Sequence, residues 1–312
     1  MQDKVLNQVI YIKEYIYQKE CEEINELQEI VSSKDKVNLK LELDYKLEMY
    51  KNLKTGTRKI NEFLCYVGDV LVAYMGISCF GGNVAEINGM THPEWRRKGI
   101  FKKLFKLAIN ECDNRNFNKI LLLSDEKSIS GIEFIKSLGG EYNFSEYRME
   151  LSNNTTVENK KVVNLRKADK SDKIEIERQK LIYFGDEEES KSGVDSNTEE
   201  TEKIEMDDGF IISDAYMIEL NNKVIGKINI EYNNDSAFIF GFGLLPEFRG
   251  KGYGKAALKE ALKLINERNI NKVSLDVAAK NSKALNLYKS CDFKEISVMN
   301  YYKYTIDIQY KN

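Results

Sequence analysis

The chain has 312 residues, 42% of them apolar, and a net charge of −3. This length suits two domains of ordinary size with packed cores, and the slight acidity leaves no electrostatic footprint for nucleic acid. The only histidine, His92, excludes a His-rich metal site, and the five cysteines (Cys21, Cys65, Cys79, Cys112, Cys291) are never spaced C-x-x-C, so free thiols in a reducing compartment are expected rather than disulfides or a metal.

The N-terminus carries Asp3, Lys4, Lys13 and Glu14 and lacks the apolar core of a signal peptide. Residues 1–32 read as a long amphipathic helical region, with Val5, Val9, Ile12, Ile16 and Cys21 near helical spacing. Two strands follow around Glu62–Val67 and Val70–Phe80, joined at the turn signal Gly68-Asp69. The nearly apolar run from Leu71 to Phe80 is about half of the ~20 residues that span a bilayer, so a cytoplasmic protein without membrane contact is expected. A third strand ends before Pro93, and a glycine-containing turn then leads into a helix. His92 reads as a surface residue at a strand end.

From Pro93 the chain begins to repeat itself. Residues 93–140 and 246–293 align without a gap at an offset of 153, with 16 of 48 positions identical, which chance similarity would need gaps to reach. Two homologous domains are therefore expected, 1–155 and 160–312, meeting near the polar stretch Ser152–Thr156. The second opens with a strand at Val162–Arg166 and a helix over about 171–184. Residues 186–208 then hold eleven acids against Lys191 and Lys203. That stretch reads as a solvated insertion, or as a rim that would attract a cationic amine acceptor. Strands follow at Ala215–Leu220, Lys223–Glu231 and Ala237–Leu244. A helix with the apolar face Ala257, Leu258, Ala261, Leu262 and Ile265 comes next, then an alternating strand around Val273–Val277 and a helix from Asn281. Helices between strands imply an α/β (α+β) fold with mixed sheets.

Chemistry concentrates at Arg249-Gly250-Lys251-Gly252-Tyr253-Gly254, between a strand and a helix. Three glycines on alternate positions bare the backbone, so amide hydrogens can converge on an anion at the helix N-terminus, as a pyrophosphate cradle does. Ala256 follows Gly254-Lys255 where a P-loop needs Ser or Thr, and G-x-G-x-G differs from the dinucleotide spacing G-x-G-x-x-G. The alternative is a glycine-rich turn without a ligand.

The stretch resembles the Q/R-x-x-G-x-G/A signature of the Gcn5-related N-acetyltransferase (GNAT) superfamily. Asn281-Ser282-Lys283-Ala284-Leu285-Asn286-Leu287-Tyr288, followed by Asp292-Phe293, is similar to its N-x-x-A-x-x-L-Y-x-x-x-G-F motif, with Asp292 in place of glycine. The resemblance implies two tandem domains, each a mixed, mostly antiparallel sheet flanked by helices. It implies acetyl-CoA as the coenzyme and a small-molecule amine as the acceptor. Backbone amides of residues 250–254 (Gly250, Lys251, Gly252, Tyr253, Gly254), introduced by Arg249, would hold the pyrophosphate. Leu244 and Leu245 would pair with the pantetheine arm, Asn281 would contact it, and Tyr288 would protonate the leaving thiolate. Read from the residues alone, Tyr288 has the alternative of a core tyrosine on a helix face and Asn281 that of a helix N-cap.

The corresponding first-half residues, Met90, Thr91, Arg96, Arg97, Lys98, Gly99, Ile100 and Phe101, form a second candidate coenzyme site. It departs from the pattern: Phe101 stands in the place of Gly254, Ser128 of Asn281, and Ile135 of Tyr288. Isoleucine has no proton to give, so an inactive first half is expected. Asp214, Glu219 and Glu231 lie on predicted strands, and none stands out as a general base. A coenzyme-binding module without turnover is the competing reading.

Overall fold

The computed structural model describes residues 7–51, 59–80, 83–152, 162–184, 215–233 and 235–306. The chain forms two compact units, residues 1–146 with 297–312, and residues 147–296. The acidic stretch 186–208 and Asp214 lie outside the described residues.

In the first unit, β1 (Gln8–Lys13) precedes α1 (Gln18–Asp35) and α2 (Leu43–Lys51). Next come β2 (Glu62–Val67), β3 (Val70–Ser78), β4 (Val84–Thr91), α3 (Ile100–Asn114), β5 (Lys119–Asp125) and α4 (Ile129–Ser137). Strand β6 (Glu141–Leu151) begins in this unit and ends in the second, while β12 (Phe293–Tyr304) begins in the second and ends in the first. The strand order is β1-β2-β3-β4-β5-β12-β6. Residues from Ser297 onward count with the first unit, whereas the expected domains 1–155 and 160–312 keep them in the second half. The pairing explains this: Met299–Tyr304 run antiparallel against Asp125–Ile120 of β5.

The expected helix over 1–32 is not what residues 8–13 form. They are a strand, antiparallel to β2 with Gln8 opposite Val67 and Lys13 opposite Glu62. The run Val9-Ile10-Tyr11-Ile12 is β-branched and aromatic, which suits a sheet edge better than a helix. The helix starts only at Gln18, and its Cys21, Ile24, Leu27 and Val31 are buried. Strand β3 is buried almost throughout because α3 and α1 pack against it.

In the second unit, β7 (Asn164–Lys167) and α5 (Lys173–Phe184) precede β8 (Ala215–Leu220), β9 (Lys223–Tyr232) and β10 (Ser236–Leu244). Then follow α6 (Tyr253–Asn266), β11 (Lys272–Ala278) and α7 (Ser282–Lys289). The strand order is β6-β11-β10-β9-β8-β7. Its core gathers Ile225, Ile228, Ile230, Ala257, Leu258, Ala261, Ile265 and Val273. The 153-residue offset carries β2 onto β8 and β5 onto β11 residue for residue, so the repeat extends well beyond the stretch that carries it in sequence.

The first unit buries an ionic network. Lys46 Nζ of α2 donates to both carboxylate oxygens of Glu62 at 2.8 and 3.0 Å, and the Tyr74 hydroxyl donates to the same carboxylate at 2.5 Å. All three side chains are buried. Glu62→Ala leaves the Lys46 ammonium without its counter-charge, so chemical denaturation should show a loss of roughly 3–5 kcal/mol. A loss below about 1 kcal/mol, the ordinary worth of an exposed pair, would contradict the burial of this network.

Candidate active site

Each unit opens its sheet at the same place. In the second, β10 pairs in parallel with β11 only from Ser236–Lys272 to Ile239–Leu275, while β10 runs on to Leu244 and β11 to Ala278. In the first, β4 and β5 pair from Val84–Lys119 to Ile87–Leu122, while β4 runs on to Thr91 and β5 to Asp125. The strands diverge beyond these points. A register shift between Phe240 and Gly243 bends β10, with Gly241 at φ +54°. Such a bulge re-aims the strand end.

The turn after β10 has the form that the glycine spacing implies. Gly250 (φ +71°) and Gly252 (φ +84°) are both left-handed, and Gly252 caps α6 without a side-chain hydrogen bond. A Cβ on Gly250 would point into open space. Bare backbone, a helix N-terminus without a side-chain cap and the positive end of the macrodipole fit a pyrophosphate. Lys251 is exposed and Tyr253 half-buried, its ring edge-on to Phe248. Arg249 turns back: its Nε donates to the Leu244 carbonyl at 2.8 Å, and its guanidinium lies over the Tyr183 ring. Its visible work is to close the turn. Leu244 and Leu245 are buried, and the Leu245 amide donates to Ile225 O.

The first unit copies this turn with one substitution. Arg97 (φ +61°) takes the left-handed position of Gly250, and Gly99 (φ +76°) caps α3. Arg96 Nε donates to the Thr91 carbonyl, as Arg249 does to Leu244, and its guanidinium also pairs with Asp35. Met90, Thr91 and Ile100 are buried, Arg97 is exposed, and Lys98 Nζ lies over the Trp95 ring. Phe101 packs edge-on against Phe134 at 4.9 Å, and both line a cleft with Phe105, Gly89, Ser128 and Ile135. In the second unit the positions of Phe101 and Phe134 hold Gly254 and Leu287, and a Cβ on Gly254 would meet Leu287 at an ordinary 3.4 Å. Aromatic side chains thus line the opening of the first unit where the second has glycine and leucine. His92 caps the turn at Pro93–Trp95, accepting from the Glu94 amide.

Asn281 caps α7, its Oδ1 accepting from the Ala284 amide at 3.1 Å, and Ser128 caps α4 through the Gly131 amide. Tyr288 lies on α7, 8% exposed and edge-on to Phe293. Burial pushes its phenol up to about 12. The proton-bearing form therefore dominates at every ordinary pH. As a result, kcat should show no alkaline fall from this residue up to about pH 10. An alkaline limb below that, absent in Tyr288→Phe, would contradict the burial.

Sequence reading missed a polar cluster at the β10 bulge. Lys227 and Asn229, two apart on β9, are buried. Lys227 Nζ donates to the Gly241 carbonyl at 3.2 Å. Burial, with Lys180 adding repulsion, lowers its pKa to about 8. Tyr183 of α5 covers Gly243 so closely that a Cβ there would sit 2.5 Å from its ring. The signal was present: a lysine and an asparagine interrupt the apolar run Val224–Ile230, and Gly241 and Gly243 alternate inside a strand. Glu219 is engaged elsewhere, paired with Arg166, which also holds Asp172. Among the described residues no metal-binding cluster occurs, and no helix is long and apolar enough to cross a membrane.

Comparison with known proteins agrees with this geometry. The acetyltransferase (GNAT) family matches twice, over residues 24–139 and 179–293. An uncharacterised N-acetyltransferase of Bacillus subtilis, YycN, is 37% identical over 89 residues, which cover 27% of this chain and 57% of that protein. The chain spans 56–62% of the length of the curated relatives it matches. A GCN5-related N-acetyltransferase from Sphaerobacter thermophilus has a TM-score of 0.68 at 14% identity, covering 94% of this chain and 95% of that one. A tandem GNAT protein from the clavulanic acid biosynthesis pathway has a TM-score of 0.66 at 11% identity, covering 95% and 98%. These two share the fold.

Proposed function

The chain belongs to the acetyltransferase (GNAT) family, and we propose that its second unit moves an acetyl group from acetyl-CoA to the primary amine of a small molecule. One observation carries the assignment to this unit. The left-handed pair Gly250 and Gly252 ahead of α6 is joined there to a tyrosine, Tyr288, where the first unit has Ile135.

The amides of residues 250–254 would hold the pyrophosphate, and the edge of β10 from Phe240 to Leu244, beyond its pairing with β11, would receive the pantetheine arm. Acetyl-CoA supplies an acetyl group activated as a thioester: the amine forms the new C–N bond, the C–S bond breaks, and its electron pair leaves on sulfur. Tyr288 gives its phenolic proton to that sulfur and regains one as the acceptor nitrogen loses its own. Asn281 holds the start of α7, and so the placement of Tyr288, through its cap.

Release of free thiol from acetyl-CoA with a panel of amines tests the reading. Tight coenzyme binding without thiol release would favour the alternative, a coenzyme-binding module without turnover, against which Tyr288 speaks. The first unit is proposed as inactive. Ile135→Tyr should create no activity in an enzyme disabled by Tyr288→Phe, because Phe101 and Phe134 still line the opening. Restored turnover would contradict this.

A further inference from the structure

Lys227 is a buried cation, 4% exposed, that forms no ion pair among the described residues. The first unit shows how such a charge is ordinarily answered. There Lys46 is held by Glu62, but the position of Glu62 in the second unit is Ala215. The position of Lys227 in the first unit is Tyr74. Among the described residues of the second unit, a buried positive charge thus stands at the Tyr74 position without the carboxylate of the Glu62 position.

Next to it lies a complementary lack. Asn229 is 7% exposed, and its Oδ1 accepts no hydrogen bond. Residues two apart on a strand share a face. Both side chains flank Gly241, where a Cβ would lie 3.2 Å from Lys227 Nζ and 3.2 Å from the Asn229 amide nitrogen. Gly241 belongs to the bulge, just past the last pair between β10 and β11. The other charges that act on Lys227 are Lys180 and Glu177 of α5. A buried cation and a buried acceptor oxygen are each costly when unpaired.

We propose that Lys227 and Asn229 recognise the acceptor, and that the acceptor is an amino acid: its carboxylate pairs with Lys227 and its amine donates to Asn229 Oδ1. This rests on the second unit being the transferase. An amino acid differs in its carboxylate from the polyamine that the acidic composition of residues 186–208 would suit.

The experiment uses the full chain, acetyl-CoA and matched pairs such as lysine with cadaverine and phenylalanine with phenethylamine. The amino acid of a pair should have the higher kcat/KM, by at least ~10-fold, as befits a buried charge-assisted contact. Lys227→Met should collapse that preference through KM, while Lys227→Arg retains most of it. Lys227→Met removes a buried charge in favour of an apolar chain, so it should fold. The N-acetylated amino acid should raise the melting temperature of the wild type and not of Lys227→Met, a readout independent of turnover. Preference for the decarboxylated amines, or an amino-acid preference that survives in Lys227→Met, would overturn the proposal and leave the transferase reading standing. Coenzyme binding without transfer to any amine would overturn both.

Discussion

Tyr288→Phe should lower kcat by about 10²–10⁴, the usual share of general acid catalysis, with the affinity for coenzyme A unchanged. The size follows from the role proposed for the phenol. A thiolate leaving a thioester without a proton competes poorly with the amine for the tetrahedral carbon, and a phenol placed to give it a proton would remove that competition. The substitution removes one oxygen from a side chain in the core of the second unit and leaves its ring in contact with Phe293. Folding and the turn at residues 249–254 should therefore be untouched. Steady-state kinetics with a working acceptor, beside calorimetry with coenzyme A, separates the two quantities. A variant that keeps its full rate when chemistry is limiting would show that water or another residue protonates the sulfur.

The second large effect is expected at Gly252. Gly252→Asp places a carboxylate at the N-terminus of α6, the end of a helix that favours negative charge, so the protein should fold. The left-handed φ of +84° adds a modest strain, tolerable for aspartate more than for most residues. The new charge lies where the pyrophosphate is proposed to bind. Two like charges ~4 Å apart near a protein surface repel by about 4 kcal/mol, so affinity there should fall roughly a thousandfold. The same change at Gly99 should alter coenzyme binding far less, because Phe101 and Phe134 already line the opening of that unit. Calorimetry that still shows the tighter site in Gly252→Asp would place the cradle elsewhere.

Much of this architecture can be read from the chain itself, because it is written in local patterns. The turn at Gly68-Asp69, the alternation along Val273–Val277 and the apolar face of α6 each follow from short-range geometry. The repeat then transfers one half's reading to the other. Residues 8–13 escaped because a strand there is defined by its partner β2, and their apolar spacing also suits a helix. The last strand escaped for a similar reason: Met299–Tyr304 belong with β5, a pairing that no local pattern encodes. In the candidate site, the glycines revealed themselves by spacing, whereas Lys227 and Asn229 matter through burial, which only the packing of α5 and the bulge of β10 disclose. Arg249 carries a different lesson. Its place in the motif suggests coenzyme contact, and its observed hydrogen bond is to the strand it follows.

The most direct test of the central claim, that the second unit carries the transfer, is free-thiol release from acetyl-CoA by three proteins against the same amine panel: wild type, Gly252→Asp and Gly99→Asp. At subsaturating acetyl-CoA the account predicts release by wild type and Gly99→Asp at comparable rates, and by Gly252→Asp at a rate roughly a thousandfold lower. Release that survives in Gly252→Asp and disappears in Gly99→Asp would contradict it, and would assign the chemistry to the unit that has isoleucine where a proton donor is needed.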